Sequence, residues 1–342
     1  MVEKLDVDCL ASRPVVLFLN GEYWGIYYLQ EKPDERFLQD HYDIDMNTIN
    51  IINSWNGHDC EYGSSEAYQE LFEWIRGVSL DDEENYQYVA ARIDINNFID
   101  YEIFEIFSAN LDWPSNNMRC WQAGDGLWRW LFFDGDACLF RPWIDFDAFA
   151  NATYDGNEHY PSSSTSTLLF RKLLENETFK TQFLSRFFKL LSTTFHYEST
   201  KPIYDATYML ISDEIASQSS RFGYPESFSK WKEGMERIDK FLSQRVDEVN
   251  NALCERFLSD NQEITTAELY PNPVQDYLCI KIETVETTKA NVQIIDLRGH
   301  SLFFETHVFG KGETIFRIPI HFKQGVYLLK IGNISKKIVV IG

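Results

Sequence analysis

The pattern of apolar and polar positions divides the chain into stretches of different texture. Residues 14–31, PVVLFLNGEYWGIYYLQE, are two β-branched and aromatic runs on either side of Asn20-Gly21. Asn-Gly accepts the positive φ values of a two-residue turn, so this stretch predicts a tight hairpin. Gly25 inside the second run predicts a bulge or a close backbone approach. A hairpin alone is marginal, and only a few residues precede it, so either further strands upstream of Met1 or a copy that starts late is expected. From about Ser65 the period lengthens to that of a helix. In EAYQELFEWI, Tyr68, Leu71, Phe72 and Ile75 fall on one face. Asp94 is placed to cap a helix through NNFIDYEIFEIFSAN, which is apolar almost all round and therefore predicted buried. GLWRWLFFDGD reads as a short buried strand that ends in acids, with Trp128, Trp130, Phe132 and Phe133 as core. PSSSTST, 161–167, reads as a polar loop. Helical segments follow near 168–175, 177–195, 200–218 and 228–257, with Leu168, Leu169, Leu173, Phe183, Phe187, Leu190 and Leu191 as core positions.

At about residue 258 the texture changes again. SDNQEITTAELYPNPVQDY reads as a polar connector. Short alternating runs follow, YLCIKI, NVQIIDL, SLFFETHVF, TIFRIPI, GVYLLKIG and KKIVVI, separated by turn signals such as LRGH, GKGE and KQG. Regularly spaced short strands predict a β-sandwich. Charge marks the same boundary: nine Lys/Arg stand against seven Asp/Glu after Ala267, and 22 against 46 before it. The expected organisation is an α+β domain over 1–257, a linker over 258–266, and an all-β sandwich over 267–342.

The chain has 342 residues, 44% of them apolar, enough for two cores. No apolar run reaches the roughly 20 residues of a membrane span, and no signal peptide is visible. A net charge of −22 repels phosphate backbones and argues against nucleic acid as a partner; it suits cations and basic partners. The six cysteines form no CxxC pair, so a zinc site is not expected; they read mostly as buried thiols, with disulfides left open. No HExxH or GxSxG is present.

Two clusters carry candidate chemistry. NLDWPSNN places Asp112 five residues before Asn117. A carboxylate that accepts the proton of an attacking hydroxyl, and an amide oxygen that ligates a phosphate-bound cation, need this kind of short, stiff loop. Pro114 stiffens it by fixing φ. The second cluster is Asp134 and Asp136 in FFDGD. On a strand, positions i and i+2 share a face, and Gly135 permits a bend, so both carboxylates can look into one cleft and hold a hard divalent cation. The bland reading is that Asp, Asn, Pro and Ser are ordinary turn residues; the order of the two clusters on a helix–loop–strand frame strengthens the case for chemistry without displacing that reading. Asp145 and Asp147, in WIDFDAF, are a rival pair and read as a solvated loop.

The stretches RPVVLFLNGEYWGIYYLQEKPDERFL, NLDWPSNNMRCW, GLWRWLFFDGDACLF, TLLFRKLLENETFKTQFLSRF and FLSQRVDEVNNAL resemble the CotH kinase family, over about residues 8 to 257. The resemblance implies a divergent protein-kinase-like domain with a mostly helical C-lobe and an N-lobe that is incomplete here. It implies ATP, Mg²⁺ or Mn²⁺, and phosphate transfer to Ser or Thr of a protein. Carried onto this chain, Asp112 matches the loop aspartate, Asn117 and Asp134 the metal ligands, and Asp136 the second acid of the D-x-D step, with Asn116 assisting. The sequence departs from the family at Ala137-Cys138-Leu139, where a glycine often follows D-x-D. The phosphate-contacting cation is expected upstream of the hairpin; Lys32, beside Glu31, is the substitute in this chain. LYPNPVQDYLCIKI, NVQIIDLRG and GVYLLKIGNISKKIVVI, within 267 to 342, resemble the C-terminal sorting domain of the Bacteroidetes type IX secretion system. That resemblance implies an immunoglobulin-like sandwich, export by that machinery, and a secreted or outer-membrane-attached location. A non-catalytic surface or scaffold module on the same fold is the second reading, and a cation-dependent hydrolase using the same acids the third.

Overall fold

The computed structural model describes residues 1–54, 58–139, 146–156, 162–257 and 264–341. Asp145 of the rival acid pair, Pro161 of the polar loop and residues 258–263 of the connector lie outside these. The chain forms two compact units. One comprises Met1–Asn176 and Thr193–Glu248, the other Glu177–Ser192 and Val249–Gly342.

The first unit opens with β1 (Asp8–Cys9) and the hairpin of β2 (Ser12–Leu19) and β3 (Glu22–Gln30). Asn20 and Gly21 turn it with φ of 50° and 83°, the primed-turn geometry that matches strand twist. The register slips between Leu17 and Phe18, where Leu17 faces Gly25 and Phe18 faces Tyr23, so the glycine does sit at a bulge. α1 (Glu35–Tyr42) starts at Asp34, whose side chain accepts from Arg36 N and Phe37 N. β4 (Ile49–Ser54), β5 (His58–Tyr62), β6 (Met118–Ala123) and β7 (Arg129–Phe132) complete a five-stranded sheet in the order β1-β7-β6-β4-β5. β1 joins β7 in parallel; the other pairs are antiparallel. Ile49, Ile51, Trp121 and Leu131 from this sheet pack with Phe37 and Leu38 of α1.

Between β5 and β6 lie α2 (Glu66–Gly77), α3 (Glu83–Ala90) and α4 (Ile95–Ser108). α2 buries the face read from the sequence: Tyr68, Leu71, Phe72 and Ile75. Asp94 accepts from Asn97 N at the start of α4, and every residue from Asn97 to Ser108 is buried. Asn97 ties α4 to the sheet, accepting from Trp130 N at 2.6 Å and donating to Trp130 O at 3.1 Å. Arg129 fixes the other end of β7 by ion pairs to Asp6, Asp8 and Asp94. Trp128 and Trp130 are core, as expected, and Phe132 and Phe133 are half-buried. α5 (Ala148–Ala152) and α6 (Leu168–Leu173) follow. The segment expected as one helix over 200–218 is two, α8 (Tyr197–Ser212) and α9 (Ile215–Phe222). Asp213 and Glu214 stand at the break, where acids oppose the carbonyl end of one helix and favour the amide end of the next. α9 covers the hairpin: Gln218 Oε1 accepts from Ile26 N at 3.0 Å, and Phe222 meets Trp24 edge-on.

The second unit contains α7 (Glu177–Ser192), the end of α10 (Phe228–Phe257), and β8 (Ile264–Tyr270), β9 (Tyr277–Thr284), β10 (Thr288–Ile295), β11 (Ser301–Phe309), β12 (Gly312–Pro319), β13 (Gly325–Ile331) and β14 (Ile334–Val340). The six predicted strands are present. β8 was hidden in the polar connector because its outward positions are Thr and Glu; Ile264 and Ala267 point inward and are buried. The strands form two antiparallel sheets, β11-β10-β13-β14 and β12-β9-β8. One core, including Leu278, Ile280, Val292, Ile294, Ile318, Leu329 and Ile338, draws on both. α7 lies on β11, with Ser185 Oγ donating to Val308 O at 3.2 Å.

Candidate functional site

The Asp112 loop is built by the end of α4. Ala109 adopts φ 52° and closes the helix, and Arg245 donates to the carbonyls of Ile106 and Phe107 near its end, at 2.8 and 3.0 Å. Asn110 is wholly buried. Its Nδ2 donates to Glu105 Oε2 at 2.8 Å, and its Oδ1 accepts from Asp112 N at 3.1 Å. Trp113 and Pro114 are buried, so the bend is packed from below while Asp112 stays half-exposed. Asp112 Oδ2 then accepts from both Asn116 Nδ2 and Asn117 Nδ2, at 3.2 and 3.1 Å. Asn117 is at φ 54°, where asparagine is tolerated, and leads into β6.

Asp134 and Asp136 do not ride on a strand, as the sequence suggested. β7 stops at Phe132, Asp134 takes φ 54°, and Gly135–Ala137 form one tight 3₁₀ turn. A Cβ on Gly135 would come within 2.6 Å of the Phe132 ring, so the turn needs this glycine. Two backbone hydrogen bonds dock the turn on the loop: Leu139 N to Ser108 O at 2.8 Å, and Leu111 N to Ala137 O at 3.4 Å. The carboxylates consequently share one field. Partial desolvation, then the negative charges of Asp136 and Asp112, hold the Asp134 carboxyl above the ordinary range.

Three repelling acids with amide oxygens among them are hard donors of the kind divalent cations prefer, and a bound cation would relieve the repulsion on Asp134. Among the described residues, no three or more His, Cys, Asp or Glu side chains stand ready to hold a metal by themselves. The oxygen donors of Asn117 and Asp134 are of the hard type that Mg²⁺ or Mn²⁺ takes alongside phosphate.

Lys32 and Glu31 lie at the entry to α1. Lys32 Nζ pairs with Asp34 at 3.1 Å and is 81% exposed. Glu31 accepts from Ala11 N and meets His41; those contacts lower its pKa, the Ala11 amide first. No hydrogen bond links either residue to the Asp112 cluster among those observed. Asp147, of the rival pair, caps α5 by accepting from Ala150 N, a structural task. All six cysteines are free, and only Cys120 is fully buried. A cavity of about 490 Å³ opens beside the cluster, lined by Asp136, Cys138 and Leu139 on one side and Tyr224, Lys230, Trp231 and Arg237 on the other.

Sequence reasoning missed Glu105, Asn110 and Arg119. Arg119, on β6 two residues after Asn117, pairs with Glu61 at 2.5 Å, donates to Pro33 O, and lies 4.6 Å over the Phe133 ring, next to Asp134. The signal for Glu105 was a carboxylate inside a helix apolar all round.

The chain belongs to the CotH kinase family: the model described as CotH kinase protein matches residues 1–249. A second, described as secretion system C-terminal sorting domain, matches residues 268–341. No curated protein matches the chain. It is therefore a CotH-like protein with a secretion address. Among the described residues, no helix is long and apolar enough to cross a membrane.

Proposed function

We propose that this chain is a secreted or surface-attached protein kinase that transfers the ATP γ-phosphate to Ser or Thr of another protein. The observation that carries the reading is that Asp134 lies within the field of both Asp136 and Asp112, and that Asn117 is hydrogen-bonded to Asp112. In this reading Asp112 orients the acceptor hydroxyl and takes its proton. Asn117 and Asp134 hold the Mg²⁺ or Mn²⁺, with Asp136 in support. A cation held there would neutralise charge on the phosphates. Asn116 and Asn117 keep Asp112 fixed before substrate arrives, which is where most of the gain in such a reaction originates. Lys32, with Glu31 beside it, is the cation assigned to the nucleotide; its exposed ion pair to Asp34 is weak and exchangeable for phosphate. The cavity beside Asp136 has a volume usual for ligand sites. The C-terminal sheets act as an immunoglobulin-like address read by the type IX machinery, and nucleic acid is not a partner.

The test is labelling of protein acceptors from radioactive ATP with Mg²⁺ or Mn²⁺. Asp112→Asn and Asp134→Asn are each expected to cost orders of magnitude in rate. Wild-type labelling in both variants would remove these assignments. A second reading, a non-catalytic surface or scaffold module, is favoured by one observation: the assigned cation Lys32 points to solvent. Nucleotide with cation should raise the unfolding temperature of a kinase, and a flat response supports the module.

A further inference from the structure

We propose that Glu105 and Asn110 are positioning residues for Asp112, forming a buried relay that sets the backbone of the loop from inside α4. The activity arm of this inference rests on the kinase reading above.

The relay is continuous. Glu105 Oε2 accepts from Asn110 Nδ2 at 2.8 Å, Asn110 Oδ1 accepts from Asp112 N at 3.1 Å, and Asp112 Oδ2 accepts from Asn116 and Asn117. Asn110 N also donates to Glu105 O, at 3.3 Å, closing a ring around one side chain. Glu105 and Asn110 are both 0% exposed. Local helix chemistry does not need a glutamate here: the carbonyl end of α4 is already served by Arg245. No cation pairs with Glu105 among the described residues, and its Oε1 is left without a hydrogen bond. A carboxyl buried on such terms is costly, and the one thing it holds is Asn110.

The groups facing Glu105 are Tyr101 and Glu102 on its own helix, Cys138 from the docked turn, Asn110, and Arg245 of α10 at the helix end. The Tyr101 hydroxyl influences the Glu105 carboxyl, and neither it nor Oε1 has a well-formed hydrogen bond. Burial pushes the Glu105 carboxyl up to about 8, with Asn110 and Tyr101 offsetting part of the rise. At neutral pH it is therefore protonated, and Oε2 serves Asn110 as a carbonyl oxygen. A glutamine side chain offers the same oxygen; a leucine offers none.

The experiment compares the full chain with Glu105→Gln, Glu105→Leu and Asn110→Ala. Glu105→Gln, which keeps an oxygen for Asn110 Nδ2, is expected within about twofold of wild type at neutral pH. Glu105→Leu and Asn110→Ala are expected to lose about 10- to 100-fold in kcat, the worth of one hydrogen bond in a buried network, with KM for ATP nearly unchanged. Glu105→Leu should unfold at or above the wild-type temperature, which a merely structural residue would not do. Wild-type kcat in Glu105→Leu or Asn110→Ala, or a loss in Glu105→Gln as large as theirs, overturns the proposal. Hydrogen exchange at the Asp112 amide reads the relay without any reaction. It should accelerate about tenfold or more in the leucine and alanine variants and not in the glutamine variant. A wild-type chain that transfers no phosphate ends the kinase reading while this arm still decides the relay, and unchanged exchange in all three variants refutes it.

Discussion

At the scale of single residues, the site is made of side chains whose costs are visible. Asp112 and Asn117 were legible because their spacing puts a carboxylate and an amide on one short bend, where they are hydrogen-bonded to each other. Asp134 and Asp136 were legible as acids but not as geometry, since two residues past the strand the alternation rule no longer applies. Glu105 was illegible in role, because its partner Asn110 is fixed only when α4 ends in the left-handed turn at Ala109. Its cost has a sign that can be measured. The folded state keeps a proton that the unfolded chain releases between pH 4.5 and about 8, so stability from this group falls as pH rises through that window. By about pH 8 the penalty is on the order of 4 kcal/mol. Glu105→Gln is expected to raise the unfolding temperature at pH 8 and to lose that advantage near pH 4. Calorimetry at both pH values checks it; an equal gain at both would mean that the carboxyl is not burdened by its charge.

At the scale of elements, α2, α4 and the six late strands followed from periodicity, since each puts apolar side chains into a core, whereas the hairpin followed from its Asn20-Gly21 turn and leaves Phe18, Leu19, Tyr28 and Leu29 exposed. The break between α8 and α9 followed from neither, because one apolar stripe runs across it and only the acids at Asp213 and Glu214 mark the end. β8 escaped for the opposite reason, with too few inward positions to outweigh its polar face. The hairpin shows how an element that is marginal alone is held: α9 closes on Gly25, where a Cβ would lie 2.7 Å from both Gln218 Oε1 and the Phe222 ring. Gly25 also sits at φ 112°, whereas Gly21, at φ 83°, faces open space. Gly21→Ala therefore bears backbone strain alone, about 1 kcal/mol. Gly25→Ala adds a clash with α9 and is expected to cost about 2–3 kcal/mol. Denaturant unfolding of the two variants separates strain from clash, and equal losses would mean that α9 yields freely.

At the scale of the whole molecule, the chain joins a strongly acidic unit to a nearly neutral one carrying an export address. The change of charge and texture marks where the strands begin, but it cannot show that α7, far upstream in sequence, groups with them. That grouping comes from long-range contacts: Ser185 on Val308 O, Thr181 beside Gly310, and Lys289 3.8 Å over the Phe188 ring while bonded to Asn250 at 2.7 Å. The strands of the address thus share their unit with a helix from far upstream. A chain ended at Phe257 lacks β11 and leaves the α7 face that packs on it without a partner. Exposing each large apolar side chain costs about 1.5–3 kcal/mol, and each kcal/mol lowers the unfolding midpoint by roughly 2–4 °C in a unit of this size. The shortened chain is therefore expected to lose several degrees of stability and to bind an apolar dye when purified, apart from any failure to be exported. Because purification removes the export machinery, a shortened chain as stable as the full one would mean that α7 needs nothing from the sheets.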